Sequence, residues 1–104
     1  MPVRQYVCGL DAAVDIIGGK WRVLIVWALQ DHSLRFGELK RAVGGVSEKV
    51  LVEQLRDLEA NGVVSREVYD EARPRVEYSL TPLGHDLNRA LVPLGAWGNA
   101  RLRR

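Results

Sequence analysis

A chain of 104 residues that is 47% hydrophobic fits one packed domain over residues 1–104, and a second independent core is not expected. Its most apolar run, Val23 to Leu29, falls far short of the roughly 20 residues that span a bilayer, and no charged n-region leads into an apolar h-region, so a cytoplasmic protein without membrane contact is expected. The single cysteine, Cys8, excludes an internal disulfide framework, its two companions His32 and His85 lie too far apart for a metal site, and the net charge of +2 says little by itself about nucleic acid.

The basic residues are mostly arginine, whose planar fork suits phosphate oxygens and guanine edges. A GC-rich genome would give the same bias, so composition permits DNA binding without arguing strongly for it.

In chain order, Leu10, Ala13, Val14 and Ile17 have the i, i+3, i+4, i+7 spacing of a short amphipathic helix that Gly18-Gly19 ends. Lys20 to Leu29 is apolar nearly all round and predicts a second, central buried helix, with Trp21 and Trp27 in the core. Gln30 to Ser33 reads as a loop. Phe36, Leu39 and Val43 give a short third helix that leaves Arg35, Glu38, Lys40 and Arg41 toward solvent, and Gly44-Gly45 permits a tight turn.

Ser47 is a suitable N-cap for a fourth helix from Glu48 to about Ala60, although Val50 leaves the capping box incomplete. Leu51, Leu55 and Leu58 stack on one face of it. At 100° per residue Lys49, Glu53 and Arg56 lie opposite, with Val52 at the edge and Gln54 toward the buried side. Asn61-Gly62 stops the helix. Val63 to Tyr69 and Val76 to Leu80 then read as two strands of a hairpin whose turn carries Arg73, Pro74 and Arg75. Thr81-Pro82 opens a last helix along Leu83, Leu87, Leu91 and Leu94, which Pro93 is expected to kink or to split before Gly95 to Leu102.

Helix, glycine turn, helix, arginine-bearing hairpin, helix is the order of a winged helix-turn-helix. The fold class expected is therefore α+β, mostly helical, with a two-stranded β-hairpin wing.

Several ordered motifs also resemble a known family. Cys8 stands near the N-terminus, Ile17-Gly18-Gly19-Lys20-Trp21 opens the second helix, and Arg35-Phe36-Gly37-Glu38-Leu39 opens the third. Val46-Ser47-Glu48-Lys49-Val50-Leu51, Leu55-Arg56-Asp57-Leu58-Glu59 and Gly62-Val63-Val64-Ser65-Arg66 follow. Arg75-Val76-Glu77-Tyr78-Ser79-Leu80-Thr81, Gly84 and Trp97-Gly98 complete the set. Over nearly its whole length the chain resembles the HxlR-type bacterial transcription regulators, winged-helix proteins related in fold to the MarR group. It departs from many members at Gly9, where they carry proline after the cysteine.

The resemblance implies a homodimer paired through terminal helices from both ends of each chain, with the two fourth helices in successive major grooves of double-stranded DNA. The leucines of the last helix agree, because they offer more apolar surface than so small a domain readily covers; the alternative is that they close the monomer core. The resemblance also implies a redox or electrophile sensor at Cys8, with a small molecule or electrophile as effector. Nearby Arg4 would favour a thiolate there and Asp11 would oppose it; the alternative is an inert thiol.

The candidate DNA contacts are Arg35, Ser47, Lys49, Val52, Glu53, Arg56, Arg73 and Arg75. Ser47 serves as cap, as phosphate contact, or as both. Lys49 and Arg56 project where a recognition helix meets base edges and phosphates, the alternative being solvated charge; Val52 against a thymine methyl and Gln54 against adenine are weaker groove candidates. Glu53 either accepts from a cytosine amino group or, as we favour, pairs with Lys49 or Arg56 at helical spacing. Arg73 and Arg75 at the wing suit the minor groove or phosphate, the alternative being the ordinary solvation of a charged turn, and Arg35 suits phosphate; Lys40 and Arg41 are weaker candidates, and Lys20 either donates to a phosphate or serves structure near Trp21. A protein-interaction module that never touches DNA is the alternative class. An enzyme is not expected, because no Ser/His/Asp or Cys/His constellation and no phosphate loop stands out, and no cofactor or metal is implied.

Overall fold

The computed structural model describes residues 5–102 of the chain. Helix α1 spans Gly9–Ile17, α2 Lys20–Ala28, α3 Phe36–Val43, α4 Glu48–Ala60 and α5 Pro82–Leu102. Strand β1 is Leu34–Arg35, β2 Val64–Tyr69 and β3 Arg75–Leu80.

Local chemistry sets the boundaries. Gly18, at φ 43°, ends α1 by sending its N–H back to the Val14 carbonyl at 2.8 Å. Gly44 and Gly45, at φ 70° and 79°, turn the chain between α3 and α4 through a region that a Cβ would strain. Ser47 Oγ accepts from the Val50 N–H at 3.2 Å, so it caps α4 as its position suggests. Thr81 Oγ1 accepts from the Gly84 N–H at 3.0 Å and donates to the Gly62 carbonyl, fastening the first turn of α5 to the chain entering β2.

The sheet has three antiparallel strands in the order β1-β3-β2, one more than the hairpin expected from sequence. Leu34 pairs with Tyr78 and Arg35 with Glu77 on the free edge of β3. A strand of two residues has no periodicity to read, which is why the sequence shows only the wing. The wing itself runs in register from Val64 opposite Leu80 to Tyr69 opposite Arg75.

Ile25, Leu39, Leu51, Leu55, Leu58 and Val63 are almost wholly buried where α2, α3 and α4 meet the sheet. Tyr78 closes this core from β3, and Trp21 and Phe36 pack partly buried against it. Trp27 does not: its side chain is 54% exposed, against the expectation that α2 is buried all round. Only one side of this nine-residue helix meets α3 and α4, so Trp27 is left beside α5. Helix α5 is likewise a single element through Pro93 and is not split there. Proline removes one N–H from the ladder, and the remaining turns on either side keep their own bonds.

Candidate nucleic-acid interface

Helix α4 buries its leucine face and turns Lys49, Glu53 and Arg56 outward, all three exposed. None of the three has a hydrogen-bond or ion-pair partner among the described residues. The expected pairing of Glu53 with Lys49 or Arg56 is therefore absent. Long solvated side chains gain little from such a surface pair and lose rotamer freedom in making it. The face consequently presents two free cations and one free carboxylate.

Gln54, beside them, is committed elsewhere. Its Oε1 accepts from Arg22 Nε at 2.8 Å, so it is held toward α2 and away from the outward face. Val52 is half-buried. With Leu55, Arg56 and Glu59 it lines a cleft of about 450 Å³ between α4 and the wing, whose far wall is Arg66 and Tyr78.

Arg66 is a functional candidate that the sequence reading missed. It is exposed, has no partner among the described residues, and shares this cleft with Arg56. The signal for it was in the strand period: Val64, Arg66 and Val68 share one face opposite Leu80, Tyr78 and Val76, so a charge interrupts an apolar row where the core gives way to the cleft.

The two arginines expected at the wing tip stand differently. Arg73 is exposed in the turn and has no partner among the described residues. Arg75 is the first residue of β3. Its Nε donates to Glu77 Oε2 at 2.9 Å, its Nη1 donates to Glu71, and its guanidinium carbon lies 4.1 Å from the Tyr69 ring centroid. The hydrogen bond from Arg75, and then that from Ser33 Oγ at 2.9 Å, hold the Glu77 carboxyl below its ordinary range. The same bond to Glu77 raises Arg75 above the usual arginine value. Burial, followed by the carboxylates of Glu67 and Glu77, pushes the Tyr69 phenol up.

Arg35 is exposed at the junction of β1 and α3, where its backbone N–H donates to Glu38 Oε1 at 2.8 Å. Lys20 stacks its ammonium 4.6 Å from the Trp21 ring centroid, which supports a structural use. Arg41 is exposed and Lys40 half-buried on α3.

Cys8 is exposed and occupies the N-cap position of α1; its carbonyl accepts from the Ala12 N–H at 3.2 Å while its thiol makes no capping bond. Arg4, the residue expected to favour a thiolate, lies outside the described residues. Around the terminal helices, large apolar side chains remain uncovered. Leu10 is 73% exposed on α1, and Leu94 and Trp97 are 56% and 63% exposed on α5. Trp27, Leu91 and Leu94 also line a cleft of about 530 Å³ between α2 and α5. No helix among the described residues is long and apolar enough to cross a membrane, and no cluster of metal-ligating side chains occurs among them.

The profile of the HxlR-like helix-turn-helix family matches residues 16–104. The HTH-type transcriptional regulator YkvN of Bacillus subtilis is 41% identical over 96 residues, which is 92% of this chain and 81% of that protein. Among solved structures, a MarR-family transcriptional regulator from Porphyromonas gingivalis W83 superposes with a TM-score of 0.84 at 37% identity, covering 94% of this chain and 96% of the other. The redox regulator HypR in its reduced form superposes with a TM-score of 0.86 at 36% identity, covering 92% and 95%.

Proposed function

The chain belongs to the HxlR-like helix-turn-helix family of transcriptional regulators, and on that footing we propose that it acts as a cytoplasmic homodimer binding double-stranded DNA sequence-specifically at an inverted repeat. It is a regulator rather than a catalyst. The observation that carries this reading is the capped helix α4, with Lys49, Glu53 and Arg56 unpaired among the described residues, set beside a wing bearing Arg66 and Arg73.

Each residue then has a task suited to its chemistry. Lys49, Glu53 and Arg56 read base edges and adjoining phosphates from the major groove, and Val52 lies at the edge of that surface. Ser47 caps α4 and offers its hydroxyl to a phosphate. Arg35 takes phosphate beside the recognition helix. Arg66 and Arg73 engage the backbone or minor groove next to it, while Arg75 keeps the wing in the shape that presents them.

The bare apolar side chains of α1 and α5 support the dimer, since a face carrying Leu10, Leu94 and Trp97 is costly to leave in water. A two-fold axis through these helices sets the two copies of α4 about one DNA turn apart. Cys8, exposed at the start of α1, is where an oxidant or electrophile reaches the dimer-forming end of the chain. Similarity to the redox regulator HypR supports a switch there. Modification of its thiol is proposed to weaken or alter operator binding.

Selection from a pool of random duplexes tests this mode of binding. The expected product is an inverted repeat with half-sites about one helical turn apart. A pool that stays random after repeated rounds would contradict it, and equal operator affinity of oxidised protein, reduced protein and Cys8→Ser would remove the switch.

A further inference from the structure

One side chain outside the DNA-facing set joins three helices. Arg22 lies on α2, where its side chain is only 16% exposed, and each of its guanidinium nitrogens has a separate acceptor. Nη1 donates to the Ile16 carbonyl in the last turn of α1 at 3.0 Å. Nε donates to Gln54 Oε1 at 2.8 Å and Nη2 to Asp57 Oδ2 at 2.6 Å, both on α4. The fork thus takes up a carbonyl at the C-terminal end of α1, where helical carbonyls lack partners of their own, and two side chains on the C-terminal half of α4.

The neighbourhood is shaped around this group. Gly18 follows α1 at φ 43°, and a Cβ there would stand 3.0 Å from Arg22 Nη1 and 3.2 Å from its Cζ. The residue that ends α1 therefore also leaves room for the guanidinium. Lysine could not replace it, since one ammonium does not reach three acceptors arranged around a planar fork.

We propose that Arg22 is a positioning residue that locks the end of α1 to α4, so that the orientation of the recognition helix depends on where α1 sits. This rests on the reading of α4 as the DNA-contacting helix, and it extends that reading by giving the helix that follows Cys8 a direct link to it. Residues Ile16, Gln54 and Asp57 are separated by up to 41 positions in sequence yet meet on one side chain. A displacement of α1 pulls on the same guanidinium that holds Asp57. No contact of Arg22 with DNA is required.

Amide hydrogen exchange on the free full-length protein tests the link without DNA. Arg22→Met is expected to raise exchange about 10-fold in the last turn of α1 and in α4 while leaving β2 and β3 unchanged. Asp57→Asn alters a half-exposed side chain that the core does not need. It is expected to raise exchange in α1 as well as in α4, and Arg22→Met with Asp57→Asn should be no worse than Arg22→Met alone. Faster exchange confined to α4 in Asp57→Asn, or a uniform rise through the wing in Arg22→Met, would overturn the proposal.

In anisotropy titrations with the selected operator, Arg22→Met should bind about 10-fold more weakly with an unchanged salt slope. A slope lowered by about 1 would make Arg22 a phosphate contact and overturn its positioning role. Wild-type protein that shows the exchange coupling but prefers no duplex would contradict the regulator reading and leave the helix link standing.

Discussion

Tyr69 and Arg75 are paired across the wing, and the Arg75 guanidinium lies against the Tyr69 ring while Glu71 and Glu77 hold its nitrogens. This cluster binds the base of the turn and leaves Arg73 outside it. The two wing arginines therefore have separable tasks.

Arg73→Ala is expected to weaken binding to all duplexes by a similar factor and to lower the salt slope by about 1, as the loss of one phosphate contact does. Arg75→Ala should leave the slope unchanged and speed amide exchange across β2 and β3. Salt titrations of both variants decide between this division and its reverse, in which Arg75 gives up its carboxylates for phosphate.

Acid acts on the same cluster through Glu77. Its carboxyl in the folded protein titrates below its ordinary value of 4.5, chiefly because of the hydrogen bond from Arg75. Its charge therefore contributes stability that is fully present above 4.5 and disappears as pH falls through the lowered folded value. Thermal melts of wild type and Glu77→Gln across this range should differ near neutrality and converge in acid. A constant difference at every pH would refute the assignment.

Gly84 is buried in the first turn of α5, where an added Cβ would overlap the Val63 carbonyl oxygen and crowd Leu80. The carbonyl belongs to the backbone and cannot swing aside, so α5 must shift away from the chain entering β2. Gly84→Ala should cost about 1–3 kcal/mol. Each kcal/mol lowers Tm by roughly 4–8 °C in a domain of this size. An unchanged melting temperature would show that α5 is seated more loosely than its contacts indicate.

Leu94 is more than half exposed, so Leu94→Glu should leave the monomer fold intact. If α5 forms the dimer face, the same change buries a charge there and shifts sedimentation from dimer to monomer at micromolar concentration. Retention of a dimer would move the interface elsewhere.

The sequence made the helices legible because their information is local: the leucine spacing of α4, the Ser47 cap and the Gly44-Gly45 turn each act within a few residues. The outward position of Lys49 and Arg56 followed from the same geometry. Arg22 was not legible, since within an apolar stretch it looks like one more charge and its partners Gln54 and Asp57 lie 32 and 35 residues away. Trp27 misled for a related reason. Apolarity predicts burial, but the side of a helix that meets the core depends on what packs around it. Arg75 belongs to the turn by sequence, and only the register of Tyr69 with Arg75 brings it into β3.

Sequence-specific DNA binding is tested by fluorescence anisotropy with duplex from the protein's own upstream region and with scrambled duplex, at two salt concentrations. A preference of about 1000-fold or more for the native duplex is expected, with affinity falling steeply as salt rises. Weak binding that is equal for both duplexes and abolished by salt would contradict it for that region, and the same result with the duplex pool would contradict it altogether.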